Sequence, residues 1–453
     1  MKITNPRALA LAALNRFDRT LSPPSEFLSK GLQKGKGIEQ RDRSLAFHLI
    51  QGVMRWRLRL DWILGLFLEK PITKLHPKVL NILRLALYQI LFLDKIPHSA
   101  AVNEAVEQVK ALGLKQLAGF INGVLRAIVR QAPSFPFPDK NHDPITYLST
   151  YHSFPQWMTK IWVEQFGFEE AENLMAALNE IPRIVLRANT LKISREDLIE
   201  ELAREGIEAK PTRYSPWGLE VVRAEVELDK SRSFKRGHFT IQGEPAQICS
   251  FLLSPFGKKP LLDLCAGMGG KSTHLAELTG NRVLIIALDT NPSRLLSLKK
   301  TARRLGAERI SPLLFDATDH LEALFRERFE RILLDSPCSG LGTISKNPDI
   351  KWSKSERDIS RLALLQKELL LRGLENLAPG GRLLYITCTM LRQENEEVVD
   401  WVLAKERGIS LIHLGESIAE WGKDLVDERG FFRSYPHKHH MEGFFAALIE
   451  KKR

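Results

Sequence analysis

From Asn5 to Gln131 apolar residues recur every three to four positions, and this spacing predicts helices throughout. Asn5 before Pro6 reads as an N-cap followed by proline at the first helical position, and Ala8, Leu9, Leu11, Ala12, Ala13 and Leu14 supply the buried stripe. Further helical stretches run from Arg41 to Glu69, long enough for two helices, and then from His76 to Leu93, Ser99 to Leu112 and Lys115 to Val129. Pro133, Pro136 and Pro138 mark Gln131 to Lys140 as a linker. The pattern then turns mixed: a helix from Trp157 to Leu178, a strand containing Ile184 to Arg187, a helix from Ser194 to Glu205, and strands near Gly218 to Val222 and His238 to Ile241. From Leu261 onward short continuous apolar runs alternate with helical periodicity, which predicts a doubly wound parallel sheet. Three parts follow: helical residues 1–140, a small α+β segment over 141–256, and an α/β body over 257–453.

Open α/β sheets carry their working residues just beyond the carboxyl ends of the strands. Cys338 follows the run Ile332 to Leu334, and Cys388 follows Leu383 to Ile386. With 4 cysteines in the chain, two at strand ends read as working thiols. Cys249 and Cys265 read as small apolar packing groups. Leu261 to Leu264 leads into a glycine-rich turn, Cys265-Ala266-Gly267-Met268-Gly269-Gly270, which opens a helix from Lys271 to Leu278. Such a turn lets main chain approach a ligand closely. Gly270-Lys271-Ser272 matches the end of a nucleotide P-loop, but Cys265 stands where that motif needs glycine. Three successive predicted strands each end in an aspartate, at Asp289, Asp316 and Asp335. One such residue could be a turn cap; the recurrence beside a glycine loop points to a pocket for an adenosine-type cofactor, and at this stage NAD and S-adenosylmethionine both fit.

Charge changes the picture of the first part. Over 453 residues 66 Lys and Arg face 54 Asp and Glu, a net +12; residues 1–140 hold 22 against 10, so the whole excess lies there and the remaining 44 and 44 cancel. A polyanion such as nucleic acid is the expected partner of that domain. Within it Arg55-Trp56-Arg57-Leu58-Arg59 interleaves guanidinium groups with an aromatic, suited either to phosphates and bases or to a solvated helix face with a core tryptophan. The cysteines lack metal-ligand spacing, and His437, His439 and His440 have no acidic or thiol partners at matching spacing, so no metal is expected. Met1 to Pro6 has no signal-peptide core, and no apolar run is long enough to span a bilayer; a cytoplasmic monomer without membrane attachment is expected.

Cys265 to Lys271, Asp335-Ser336-Pro337-Cys338-Ser339-Gly340 and Thr387-Cys388-Thr389 together resemble the motifs of the RNA cytosine-5 methyltransferases. Arg187-Ala188-Asn189-Thr190-Leu191-Lys192 is similar to that family's N-terminal motif, Gly237 to Gln242 to the segment entering its catalytic domain and Pro436 to Phe445 to its closing hairpin, and residues 1–131, with Asp42 to Ala46 and Phe120 to Arg126, resemble a NusB-like RNA-binding module. Together with Asn347 to Trp352 this resembles the branch acting on small-subunit ribosomal RNA. Some positions depart from the family pattern: Gly267 and Met268 replace alanine and proline in the loop, Ser336 replaces alanine, Glu442 stands for aspartate, and Gly243 stands where an acid is frequent.

The resemblance implies a Rossmann-like, S-adenosylmethionine-dependent α/β methyltransferase domain behind an all-α NusB-like domain and a small α+β middle domain. It implies S-adenosyl-L-methionine as cofactor, enclosed by Cys265, Ala266, Gly267, Met268, Gly269, Gly270 and Lys271, with Asp289 on the ribose, Asp316 on the adenine edge and Asp335 nearby. Carbon 5 of cytosine is a poor nucleophile until a thiolate adds to carbon 6. By resemblance Cys388 is that thiolate and Cys338 assists the release step. Asp335 would hold the base edge and favour protonation at ring nitrogen 3, and Lys271 would add positive charge. The partner implied is small-subunit ribosomal RNA; transfer RNA, or a non-catalytic RNA-binding or antitermination role, are the alternatives.

Overall fold

The structure, a computed structural model, describes residues 5–27, 40–255, 257–416, 418 and 420–453. The expected N-terminal segment Met1 to Thr4 and residues 28–39 of the helical region lie outside the described residues. The chain divides into two compact units, Met1–Glu180 with Ile344–Glu356, and Ile181–Thr343 with Arg357–Arg453.

The first unit is helical. Asn5 caps α1 (Pro6–Thr20), its side chain accepting the Ala8 N–H at 2.7 Å. Then come α2 (Gln40–Gly65), α3 (Pro77–Phe92), α4 (His98–Ala111) and α5 (Ala118–Gln131). The long α2 is two helical segments joined at a kink, as its length predicts: Trp56 leaves helical geometry with φ −112° and ψ 17°. The helix expected from Trp157 to Leu178 is two, Gln156–Phe166 and Phe168–Leu178, because Gly167 adopts φ 81° and ends one helix while opening the next.

Neither expectation for Arg55 to Arg59 holds as stated, since the guanidinium groups are turned inward. Arg55 is buried and donates to the Ser345 carbonyl at 2.6 Å. Arg57 pairs with Asp18 at 2.8 Å. Arg59 lies 4.4 Å above the Tyr151 ring, and Trp56 stacks on Phe92. The expected tryptophan packing is present; the solvated face and the free phosphate grip are not. These cations hold the helical unit together.

Residues 344–356 complete this unit. Lys351 is wholly buried, and its Nζ donates to the carbonyls of Arg55 at 2.9 Å and Ser153 at 3.0 Å and to Asn179 Oδ1 at 2.7 Å. Burial drives its pKa well below the usual lysine value. Trp352 Nε1 adds a bond to the Met54 carbonyl at 2.7 Å.

The second unit contains two sheets. The smaller is antiparallel in the order β2-β3-β1-β4, with β1 Val185–Ala188, β2 Ile207–Pro211, β3 Gly218–Ala224 and β4 Phe239–Ile241. Sequence reading missed β2, an edge strand whose pairing is interrupted at Glu208/Ala209. The larger sheet runs β10-β12-β9-β8-β5-β6-β7, with β11 also paired to β12. Its parallel strands are β5 (Leu261–Asp263), β6 (Ile285–Asp289), β7 (Ile310–Leu314), β8 (Phe329–Asp335) and β9 (Leu377–Thr387). The expected parallel sheet is extended at one edge by antiparallel strands. There β10 (Ile409–Ile412), β11 (Phe432–Ser434) and β12 (Phe444–Lys451) pair antiparallel, with β12 set between β9 and β10. Buried aliphatic residues of β5, β8, β9 and β12 fill both faces of the sheet, so neighbouring strand ends are held in fixed register.

Candidate active site

Because strand order is β9-β8-β5-β6-β7, the residues following the carboxyl ends line up along one edge. They are Cys388 after β9, Asp335 and Cys338 at the end of β8, the glycine turn after β5, Asp289 at the end of β6 and Asp316 two residues beyond β7. Register fixes the two thiols: Asp335 pairs with Ile386, and the Ser336 N–H donates to the Ile386 carbonyl at 2.9 Å.

Cys338 and Cys388 are both free and half-buried, with their sulfur atoms 3.2 Å apart. The Cys388 N–H also points at Cys338 Sγ at 3.3 Å. The hydrogen bond with Cys388, reinforced by burial, pushes the Cys338 thiol well above its ordinary pKa. Either sulfur can be the donor in this contact, so the two thiols are joined directly. Cys249 and Cys265 are also pushed upward by burial, as inert packing thiols are.

Lys271 Nζ lies 2.5 Å from Asp335 Oδ2 and 5.4 Å from the centre of the Phe444 ring. Burial opposes the Lys271 charge, but the groups around it, Asp335 first among them, together raise the ammonium's pKa. The site thus holds a cation against an acid next to two sulfurs.

The glycine turn is shaped for a ligand. Gly267 and Gly269 take φ 57° and 85°, and a Cβ on Gly269 would meet Leu298 Cγ at 2.6 Å. The helix Gly270–Leu278 starts without a side-chain cap, leaving its positive end toward the turn. Ala266 anchors the turn by donating to the Leu288 carbonyl at 2.8 Å, and Met268 is 69% exposed at the lip. Asp289 accepts from the Gly267 N–H at 2.9 Å and the Asn291 N–H at 2.7 Å. Asp316 is exposed and accepts from Thr318. An uncapped helix end, two glycines in the left-handed region and carboxylates on adjacent strands fit an adenosine-type cofactor with a charged tail.

Further contacts around the turn were not assigned from the sequence. Asp263, the last residue of β5, is buried beneath the turn, where Ser272 Oγ donates to it at 2.6 Å. Burial lifts its pKa to about 7. Arg187, from β1, is fully buried and clasps Glu277 with bonds of 2.9 and 2.7 Å. It also donates to the Gly270 carbonyl at 2.9 Å, to Thr273 Oγ1 at 3.1 Å and to Gln242. The small sheet thereby grips the helix that the glycine turn opens. Two of the departures from the family pattern also meet, for a Cβ on Gly243 would collide with the Glu442 carboxylate. The longer acid occupies the room left by the glycine.

Among the described residues no group of three or more His, Cys, Asp or Glu could hold a metal, and no helix is long and apolar enough to cross a membrane. His439 is used locally, its Nδ1 accepting the Tyr435 N–H at 2.9 Å.

Comparison with known proteins places this geometry. A family model described as 16S rRNA methyltransferase RsmB/F matches residues 250–450, a NusB family model matches 4–130, and a RsmF/B-like ferredoxin-like domain model matches 154–227. The probable ribosomal RNA small subunit methyltransferase B of Bacillus subtilis (strain 168) is 36% identical over 454 residues, covering 100% of both chains. The 28S rRNA (cytosine-C(5))-methyltransferase of Mus musculus is 36% identical over 317 residues, 67% of this chain and 40% of that one. Among solved structures, PH0851 superimposes with a TM-score of 0.81 at 28% identity over 98% of this chain and 99% of that chain. NSun6 from Pyrococcus horikoshii with SFG gives 0.58 at 25% identity over 67% of this chain and 99% of that chain.

Proposed function

The chain belongs to the 16S rRNA methyltransferase RsmB/F family, and from that premise we propose that it methylates carbon 5 of a specific cytidine in small-subunit ribosomal RNA through a covalent cysteine–cytosine intermediate. The observation that carries this reading is the pair of sulfurs 3.2 Å apart at the ends of adjacent strands, beside the Lys271–Asp335 pair.

S-adenosylmethionine, when bound against the glycine turn, Asp289 and Asp316, supplies the methyl group. The remaining chemistry is the protein's. Cys388 Sγ adds to carbon 6 of the cytosine, Asp335 holds the base edge and favours protonation at ring nitrogen 3, and carbon 5 becomes nucleophilic. After methylation the carbon 5 proton leaves and the Cys388–carbon 6 bond breaks, a step assigned to Cys338. The Lys271 ammonium balances the negative charge that develops in the site. The base must be unstacked for Cys388 to reach it, so the target is a single-stranded or extruded nucleotide.

Residues 1–140 are assigned to RNA affinity, 141–256 to a connecting α+β domain and 257–453 to catalysis. The +12 charge concentrated in the first part supports the first assignment and makes binding salt-dependent. We assign the protein to the cytoplasm as a monomer.

The test is transfer of labelled methyl from S-adenosylmethionine to naked small-subunit ribosomal RNA and to bulk transfer RNA, followed by nucleoside analysis. Label in 5-methylcytidine of ribosomal RNA alone is expected. Label in transfer RNA alone would keep the chemistry and overturn the substrate.

A further inference from the structure

The turn after β9 carries two buried polar side chains that the reaction above does not use. Glu394, 0% exposed, ends a short 3-10 turn, Arg392–Glu394. Its Oε1 accepts the Ser339 N–H at 2.8 Å and Gln366 Nε2 at 2.9 Å, and its Oε2 meets Ser339 Oγ at 2.5 Å. Gln366 Nε2 also donates to the Pro337 carbonyl at 3.0 Å. Both neighbours of Cys338 are thus fastened, Ser339 directly and Pro337 through Gln366.

The next residue does the same for the other thiol. Asn395, also 0% exposed, accepts from Thr387 Oγ1 at 2.5 Å and donates to the Thr389 carbonyl at 3.1 Å. These are the two neighbours of Cys388. The hydroxyls of Ser339 and Thr389 lie 3.1 Å apart and join the two halves. The Tyr385 hydroxyl anchors the turn itself by donating to the Glu394 carbonyl at 2.6 Å. Each of these side chains is bonded, with Gln366 Oε1 buried and without a partner, and a buried polar network of this kind constrains the geometry of the loops it joins.

We infer that Glu394 and Asn395 are positioning residues that clamp the loops on either side of Cys338 and Cys388 and so set the separation of the two sulfurs. Neither side chain is bonded to the cofactor turn, to Lys271 or to Asp335 in any contact described above, so the clamp acts on thiol geometry and leaves cofactor binding alone. The inference rests on the methyltransferase reading for its catalytic consequence and not for its geometric one.

The experiment therefore reads both. Glu394→Ala and Asn395→Ala are made alongside Glu394→Gln, whose amide keeps the outline, presents its oxygen to the two N–H donors and can donate to Ser339 Oγ. With the full chain, kcat for RNA methylation should fall by about 100-fold in both alanine variants, the scale of a small misplacement of reacting groups. The dissociation constant for S-adenosylmethionine should move less than about threefold, and Glu394→Gln should recover most of kcat. Independently of RNA, phenylarsine oxide, which bridges two thiols with release of one water, should bind the wild type through Cys338 and Cys388 and bind the alanine variants about tenfold more weakly.

Unchanged arsenical binding in the alanine variants would overturn the clamp whatever the methylation assay shows. So would a loss of kcat matched by an equal loss of cofactor affinity, which is the signature of general unfolding. If the wild type bound the arsenical but methylated no RNA, the functional reading would fall and the clamp would stand. Should Glu394→Ala not fold, Asn395→Ala carries the same measurements.

Discussion

Replacing Arg187 by methionine tests how the small sheet supports the cofactor turn. The guanidinium makes two bonds to Glu277 and one each to Gly270, Thr273 and Gln242, and both members of the ion pair are essentially closed to water. Arg187→Met fills much of the space but strands Glu277 as a buried carboxylate whose pKa burial already pushes upward. Removing one partner of a buried pair costs about 3–5 kcal/mol. Replacing both with apolar groups, Arg187→Met with Glu277→Leu, removes the uncompensated charge and should recover at least about 2 kcal/mol of that loss. Hydrogen exchange read by mass spectrometry over the helix Gly270–Leu278 isolates the effect, since the cost falls on that helix. At 1.36 kcal/mol per tenfold, a loss of about 3 kcal/mol accelerates exchange there more than about 100-fold. Exchange within about threefold of wild type in Arg187→Met, or a double variant no better than the single, would refute the argument.

Three further outcomes are expected. Cys388→Ser should abolish turnover, and Cys338→Ala should accumulate a covalent protein–RNA species on a denaturing gel; the reverse pattern would exchange the roles of the two thiols. His152, whose pKa burial lowers to about 4, should contribute stability that is complete above pH ~6.5 and lost as pH falls through about 4, up to roughly 3 kcal/mol. Thermal unfolding of His152→Leu should lack that acid loss, and a superimposable pH dependence would refute the assignment. Asp263 acts in an overlapping window with the opposite sign: because burial raises its pKa to about 7, its contribution is complete below ~3.9 and lost as pH rises through about 7. Asp263→Asn should therefore gain stability relative to wild type as pH is raised from 4 to 7, and an unchanged difference across that range would exclude it.

The parts of the site legible in the sequence are those where one strand and the loop after it contain the whole signal. The short apolar runs Ile285 to Leu288, Ile332 to Leu334 and Leu383 to Ile386 stop at or just before Asp289, Asp335 and Cys388, so local pattern suffices. Arg187 and Glu277 are separated by 90 residues, and neither carries any local mark of burial. Composition could not show which way Arg55, Arg57 and Arg59 face, because a guanidinium packed on an aromatic ring reads the same as one awaiting phosphate. The continuous apolar stretch of β12 fits a parallel or an antiparallel neighbour equally, and only pairing with β9 and β10 decides. Gly167 interrupts a pattern that is otherwise helical on both sides, which periodicity alone does not register.

The insertion of residues 344–356 into the first unit bears on how the chain is made. When Glu180 has left the ribosome, the carbonyls of Arg55 and Ser153 and the amide of Asn179 still lack the Lys351 ammonium that joins them. That group is synthesised 171 residues later (351 − 180), a delay of roughly 10–35 s at the usual 5–20 residues per second. The helical unit is begun first but finished only after most of the parallel sheet has been translated, so its closure during synthesis is timed by the catalytic part of the chain.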